Sequence, residues 1–138
     1  MANETIACKD VCRELREILD SIIDRMWELI PPHPPEEDPA IVLEESIRDP
    51  EMLGAITDDL MWGILEARPK LRKLMDKLME QYKARWYETP EGALVDTTAL
   101  LLEYLFIILA RLRGYPSAEV ASYYLTLKRF GGGGSRGE

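Results

Sequence analysis

Side-chain amides are almost absent from this chain, which has one Asn (Asn3) and one Gln (Gln81) in 138 residues. Charged residues make up 30% of the sequence, and proline occurs nine times. Depletion of thermolabile amides, together with enrichment in charged residues and proline, is typical of proteins from hyperthermophiles. The composition therefore predicts a source that grows at high temperature.

Residues and motifs that carry common catalytic chemistry are also scarce. His33 is the only histidine and lies between prolines, so a His-dependent catalytic triad would have to use it. No P-loop motif is present. The letters of GxSxG and GxGxxG occur only within the glycine-rich run 132–137, which has no predicted strand before it and no helix after it to bind a phosphate. We therefore expect no catalytic residue, no cofactor and no small-molecule substrate.

The two cysteines, Cys8 and Cys12, lie four residues apart on the first predicted helix. Free cysteine is among the most buried residue types, which predicts that both are small core residues. A zinc site needs about four ligands, so no metal site is predicted from this pair and one histidine. A disulfide within one helix is geometrically poor, whereas disulfides between chains stay open.

Membrane and export signals are missing. The apolar run Ala99–Ala110 is shorter than the ~20 residues of a helical membrane span, and it includes Glu103. The N-terminal sequence MANETIACKD is polar and lacks the apolar run of a signal peptide. We expect no membrane span, no signal peptide, and an intracellular or virion location.

Strand-type alternation is absent too, and apolar residues recur at three- and four-residue spacing, which predicts helices. The first helix is predicted over residues 5–30. Its apolar face is Cys8, Cys12, Leu15, Leu19, Ile22, Met26 and Leu29/Ile30. The following segment 31–39, PPHPPEEDP, cannot continue a helix and is predicted to be an extended, polyproline-like hinge.

Later helices are marked by N-cap residues. Asp38-Pro39, Asp49-Pro50 and Thr89-Pro90 each place a cap residue before a proline at the first helical position, and Ser117 can cap the last helix. The helices are predicted at 39–48, 50–67, 69–87, 90–113 and 117–130, with Pro69 restarting or kinking the chain. Leu53, Ile56, Leu60 and Ile64 are the expected core residues of helix 50–67.

Helix 90–113 is apolar on nearly every side between Leu94 and Leu112, which predicts that it is buried all round. The fold class is therefore all-α, a single-domain bundle of about five or six helices around a buried central helix 90–113. We divide the chain into an N-terminal helical arm (1–30), a proline-rich linker (31–39), a helical core (40–130) and a flexible Gly-rich tail (131–138).

Charge is divided unevenly along the chain. Residues 1–67 carry 5 basic and 17 acidic side chains (net −12), and residues 68–138 carry 12 basic and 8 acidic (net +4), which together give −8. The basic side chains cluster on helix 69–87 and just before it. They are Arg68, Lys70, Arg72, Lys73, Lys77, Lys83 and Arg85. A solvated outer face is the simpler interpretation; contact with DNA, RNA or the acidic half of another copy is the functional one.

Two sets of carboxylates are candidates for metal-binding or acid–base chemistry. Glu14-Leu15-Arg16-Glu17 forms an ExxE, and the run Glu91…Asp96 is followed by an apolar helical stretch and Gly114. Together they resemble the ExxE motif, the second motif and the following helix of the all-helical MazG-type nucleoside triphosphate pyrophosphatases. That resemblance implies Mg²⁺ held by carboxylates such as Glu14, Glu17, Asp96 and Glu103. The chain departs from the family's ExxD, because Ala93 stands three residues before Asp96.

Asp96 and Glu103 also lie seven residues apart and share one helix face. A buried pair with raised pKa values would suit acid–base work, whereas a narrow polar strip beside another helix is the plainer interpretation.

From these observations we expect a non-catalytic structural or assembly protein of a hyperthermophile or its virus. It would associate with itself and pack along nucleic acid through the basic helix, in the manner of helical coat proteins of archaeal filamentous viruses. This comparison is an analogy of general character. The alternatives are a divergent MazG-like metal-dependent pyrophosphatase and a helical adaptor subunit of a nucleoprotein complex.

Overall fold

The computed structural model describes residues 8–132, which form five α-helices and contain no strand. The helices are α1 (Cys8–Glu28), α2 (Pro39–Ser46), α3 (Pro50–Tyr82), α4 (Pro90–Leu112) and α5 (Ala118–Thr126). A 3₁₀ segment (Lys83–Glu88) joins α3 to α4, and a π-helical turn (Leu127–Gly132) follows α5. The all-α prediction is confirmed. The predictions for residues 1–7, for the Cys8 side chain and for the tail beyond residue 132 lie outside the described part.

All four predicted N-caps are confirmed by hydrogen bonds. Side-chain oxygens of the cap residues accept from backbone N–H groups in the first helical turn, which would otherwise have no partner. The pairs are Asp38 with Ala40 (2.9 Å), Asp49 with Glu51 (3.2 Å), Thr89 with Gly92 (3.0 Å) and Ser117 with Val120 (3.1 Å). Helix starts were therefore readable from local sequence.

The helix does not restart at Pro69, because α3 runs unbroken for 33 residues. Proline cannot donate to the carbonyl of Leu65, four residues earlier. Pro69 itself is exposed, while Ala67 and Leu71 on either side are buried. The core contacts of these flanking residues hold the helix through the proline.

The main core is shared by α1, α3, α4 and α5. Its fully buried large side chains are Val11 of α1, Met61, Ile64, Leu74 and Leu78 of α3, and Val95 and Phe106 of α4. A smaller second cluster joins α1, α2 and the start of α3 through Met26, Ile30, Val42 and Ile56. Because α1 contributes to both clusters, its apolar face is anchored against the other helices.

The predicted inner face of α1 is partly wrong in register. Val11 and Ile18 are buried, whereas Cys12 is exposed. Of the predicted pair Leu29/Ile30, Ile30 is the buried member. Leu53 of α3, also expected in the core, is exposed as well. In each case several neighbouring positions were apolar, so spacing alone did not select the buried one.

The largest correction concerns α4, which is covered on one side only. Gly92, Val95, Leu102, Phe106 and Ala110 are buried against the other helices. Eight large apolar side chains on the remaining surface are exposed: Leu94, Leu100, Leu101, Tyr104, Leu105, Ile107, Ile108 and Leu112. The helices of one chain that pack on α4 leave its outer half uncovered.

Candidate interaction surface

The outer surface of α4 forms a continuous apolar stripe, which we call the α4 face. It consists of Leu94, Leu101, Tyr104, Leu105, Ile108 and Leu112, all exposed. Leu94, Leu101 and Ile108 follow each other at seven-residue spacing, and so do Leu105 and Leu112. Residues seven apart lie on nearly the same side of an α-helix, so these side chains form one ridge along it.

This ridge is free of charge over most of the length of α4. The only charged residues between positions 93 and 110 are Asp96 and Glu103, and both are half-buried on the other side of the helix. Leu101 is 65% exposed and Leu112 is 75% exposed. Large uncharged apolar patches are uncommon on monomeric soluble proteins and mark interaction surfaces.

By length and composition α4 also qualifies as a candidate membrane span, the single one in the part of the chain that the structure describes. Only 22% of the most apolar 18-residue stretch of α4 is buried. Yet α4 packs along α3, whose outer surface is charged, and Arg68 of α3 binds Glu103 near the middle of α4. A membrane-spanning α4 would carry these charged groups into the hydrocarbon layer, which is costly.

The seven basic residues singled out in the sequence do not form one free set. Arg68 donates two hydrogen bonds to Glu103 (2.7 and 3.0 Å), and its guanidinium lies 5.0 Å from the Phe106 ring centroid. Arg85 binds Glu88 through two hydrogen bonds. The other five are exposed and make no ion pair within residues 8–132: Lys70, Arg72, Lys73, Lys77 and Lys83. Five of the seven basic residues, and not all seven, are therefore available to contact a partner.

Asp96 and Glu103 do lie near each other, in the groove between α3 and α4. The groove has a volume of about 300 Å³ and also contains Arg68, Arg72 and Leu100. Arg68 binds Glu103, and both carboxylate residues are only half-buried, so the two do not form a buried carboxylate pair. The polar-strip interpretation fits this arrangement.

The carboxylates of the pyrophosphatase alternative are not gathered into a metal site. Glu14 and Glu17 lie on α1, and Asp96 and Glu103 lie on α4. Among the described residues, no cluster of three or more Asp, Glu, His or Cys side chains could hold a metal ion.

A second cavity, of about 380 Å³, lies between α3, α5 and the π-helical turn. Trp62 lies in its wall under the guanidinium of Arg129, which is 4.8 Å from the ring. Nearby, Asp58 accepts two hydrogen bonds from Arg113 (2.8 and 3.0 Å). This hydrogen bonding raises the pKa of Arg113. Burial, with help from Asp58, raises the pKa of Tyr115. Cations and carboxylates alternate here, and the lining has no excess of one sign.

The sequence pattern predicts the helix α4 correctly, but the prediction that its outer side is buried is wrong. The signal that could have corrected this was a second ridge. Val95, Leu102 and Leu109 repeat at seven residues on the inner side, and Leu94, Leu101 and Ile108 do so on the outer side. Two separate ridges, about 100° apart round one helix, indicate two partners. No family model matches this chain, and no curated protein or solved structure matches it either.

Proposed function

We propose that this protein is a non-catalytic structural protein that assembles with copies of itself through the α4 face. The observation that supports the proposal is the uncharged ridge from Leu94 to Leu112, which one chain leaves open to water. Burial of apolar surface stabilises association by about 25 cal/mol per Å². An isolated chain would therefore be driven to cover this ridge.

A protein partner fits the ridge better than lipid does. Its seven-residue spacing suits the side chains of a second helix, which insert between ridges. The exposed cations of α3 and the acidic outer surface of α1 would restrict how deeply the molecule could enter a bilayer.

The first experiment is sedimentation equilibrium of the wild type against Ile108→Glu. Ile108 is 57% exposed on the α4 face, and Ile41 of α2 is 53% exposed outside it, so Ile41→Glu is the matched control. We expect Ile108→Glu to weaken association at least about 100-fold, because it would bury an unpaired charge, and Ile41→Glu to have little effect.

Two results would overturn this proposal. One is a wild type that stays monomeric up to ~100 µM, which corresponds to a binding free energy weaker than about −5.5 kcal/mol. The other is flotation of the wild type, but not of Ile108→Glu, with phospholipid vesicles, which would assign the face to membrane. Association only with a different protein would favour the adaptor alternative.

We propose in addition that the exposed cations of α3 contact DNA or RNA in the assembly, as expected for a coat-like protein of a hyperthermophile or its virus. Lys70, Lys73 and Lys77 recur at three- and four-residue spacing and so share one side of α3. Such a row can neutralise phosphates along one strand.

Nucleic-acid binding can be tested by fluorescence anisotropy as a function of salt. Replacing Lys70, Lys73 and Lys77 together by Glu should weaken binding and lower the slope of log K against log salt by roughly 0.9 for each lost phosphate contact. The control is a matched triple replacement of exposed arginines elsewhere, at Arg13, Arg16 and Arg48. Equal effects of the two triples, or no binding by the wild type at low salt, would remove this part of the proposal.

A further inference from the structure

Two buried polar atoms at the cavity between α3, α5 and the π-helical turn make no hydrogen bond within residues 8–132. They are Trp62 Nε1 and Asp59 Oδ2, and both residues line the cavity. The Trp62 side chain is almost fully covered, with 6% of the residue exposed. Buried polar groups are almost always hydrogen-bonded. This wall of the cavity therefore holds one donor and one acceptor that a polar ligand can satisfy.

Asp59 also carries negative charge that is only partly matched. Arg25 donates to Asp59 Oδ1 at 3.3 Å and binds Glu66 as well. One guanidinium (+1) thus serves two carboxylates (−2), which leaves the three groups with a net charge of −1. Asp58, the other carboxylate of the lining, has both oxygens bonded to Arg113 at 2.8 and 3.0 Å. The unpaired oxygen of the cavity wall is therefore one that favours a cation.

A guanidinium from the same chain already lies on the Trp62 ring. Arg129 of the turn is 4.8 Å from the ring centroid. Tryptophan attracts cations more strongly than other aromatic residues do, and a planar guanidinium stacks on its face. Among the described residues, Arg129 makes no ion pair and no side-chain hydrogen bond. The contact shows which chemistry this ring accepts, and no carboxylate fixes the cation there.

The turn that supplies Arg129 is weakly anchored. The side chains from Leu127 to Phe130 are all exposed, so the turn buries little apolar surface of its own. It contacts Trp62 through Arg129 and through the Phe130 ring, whose centroid is 5.5 Å away. Segments with few buried contacts open locally at low free energy. The turn is therefore the part of the cavity wall that yields most easily.

We infer that this cavity binds a small guanidinium compound, and that Arg129 is the competitor of this ligand within the chain. When the turn lifts, the guanidinium of the ligand replaces Arg129 on the Trp62 ring and donates to Asp59 Oδ2. A carbonyl of the ligand accepts from Trp62 Nε1.

The cavity has the size and lining for such a ligand. Its volume of about 380 Å³ lies within the range of small-molecule sites. Three apolar residues of the lining suit a methylene chain: Leu29, Ala55 and Leu125. Among the described residues, none of α4 lines this cavity, so the inference goes beyond self-assembly and does not depend on it.

Isothermal titration calorimetry of the full chain with arginine amide tests the site, since this probe has the side chain of Arg129 and a carbonyl. Arg129→Ala should bind it at least about tenfold more tightly than the wild type does, because the internal competitor is gone. Lys128 lines the same cavity without stacking on Trp62. Lys128→Ala removes the same charge and should change the affinity less than about threefold. Arg129→Gln, which loses the charge and keeps part of the cover, replaces Arg129→Ala if that variant does not fold.

The two carboxylates of the lining give a second matched pair. In the Arg129→Ala background, Asp59→Asn should weaken binding about tenfold, because it removes the charge that the ligand meets. Asp58→Asn should change it less than about threefold, since Arg113 already engages both oxygens of Asp58. Citrulline amide has the shape of arginine amide without its charge, and it should bind at least about tenfold more weakly.

Several results would overturn the inference. One is no binding of arginine amide by Arg129→Ala up to ~10 mM. Equal gains for Arg129→Ala and Lys128→Ala would assign the effect to overall charge, and equal losses for Asp59→Asn and Asp58→Asn would remove the role of the unpaired oxygen. Equal affinity for citrulline amide would exclude recognition of a cation. An indole N–H signal of Trp62 that does not shift in the NMR spectrum would place the ligand elsewhere.

Discussion

Leu101 and Leu102 are neighbours in sequence with opposite environments, and replacing each by alanine separates folding from assembly. Leu101 is 65% exposed, whereas Leu102 is 8% exposed and belongs to the main core. Alanine has the highest helix propensity, so neither change disturbs α4 itself. Leu101→Ala should therefore weaken self-association, and Leu102→Ala should destabilise the folded chain.

The size of each effect follows from burial. Full burial of a leucine side chain stabilises by about 1.5–3 kcal/mol. Because Leu101 is 65% exposed, roughly two thirds of this burial free energy is still available for association. A symmetric dimer gains it twice, once from each chain, and alanine retains part of the gain. Leu101→Ala should then cost about 2–3 kcal/mol of association, or roughly 30- to 150-fold in Kd. Leu102→Ala should cost about 2–5 kcal/mol of unfolding free energy.

Sedimentation equilibrium would measure association, and urea unfolding at a concentration where the chain is monomeric would measure stability. The reasoning fails if Leu101→Ala destabilises the monomer as much as Leu102→Ala does. It also fails if Leu101→Ala leaves the dissociation constant unchanged. The first outcome would place Leu101 in the core of a single chain, and the second would place the contact elsewhere.

Three further variants test the fold that carries this face. Arg68→Ala should lower the free energy of unfolding in urea by about 1–2 kcal/mol, because it removes the two hydrogen bonds to Glu103 and the guanidinium over the buried Phe106 ring. Arg85, whose side chain is 77% exposed, is the comparison, and Arg85→Ala should change this free energy by no more than ~0.5 kcal/mol. Equal losses would contradict this distinction. Gly92→Ala should lower the melting temperature sharply, since a Cβ there would stand 1.8 Å from the carbonyl oxygen of Trp86. Gly54→Ala is the milder comparison, because its Cβ would stand 3.3 Å from the Arg113 guanidinium that Asp58 holds, and it should change the free energy of unfolding by no more than about 0.5 kcal/mol. A mild Gly92→Ala would show that this helix start can shift. The pKa of Tyr115 is raised above its usual 10.0, so as pH rises the unfolded chain loses this proton first and the free energy of unfolding falls above about pH 10. In Tyr115→Phe part of that fall should disappear when unfolding is followed by circular dichroism. An unchanged pH profile would assign the fall to other groups.

Local chemistry made much of this fold predictable. A cap residue followed by proline marks the starts of α2, α3 and α4 correctly, because the side-chain oxygen and the fixed proline φ act within one turn. The all-helical class followed from apolar spacing in the same way.

Properties that depend on distant partners were not predictable. Arg68 appeared to be one more free cation, yet Glu103 lies 35 positions away in sequence and binds it. The apolar outer side of α4 was assigned to the core because hydrophobicity shows that a surface must be covered, and not which chain covers it. Cys12 was predicted to be buried, yet the neighbouring Val11 is the buried residue, because the rotation of α1 against α3 depends on contacts between helices.

The unequal lengths of α3 and α4 have a mechanical consequence. At 1.5 Å per residue, the 33 residues of α3 span about 50 Å and the 23 of α4 about 35 Å. Arg113, just after α4, binds Asp58, so the first turns of α3 project past α4. Within residues 8–132, the hydrophobic cluster that secures that projecting end is the small one with Val42 and Ile56. Local opening should therefore begin there, with amide hydrogens of α2 exchanging well before those of α4, so that the molecule can loosen at one end while the α4 face keeps its shape.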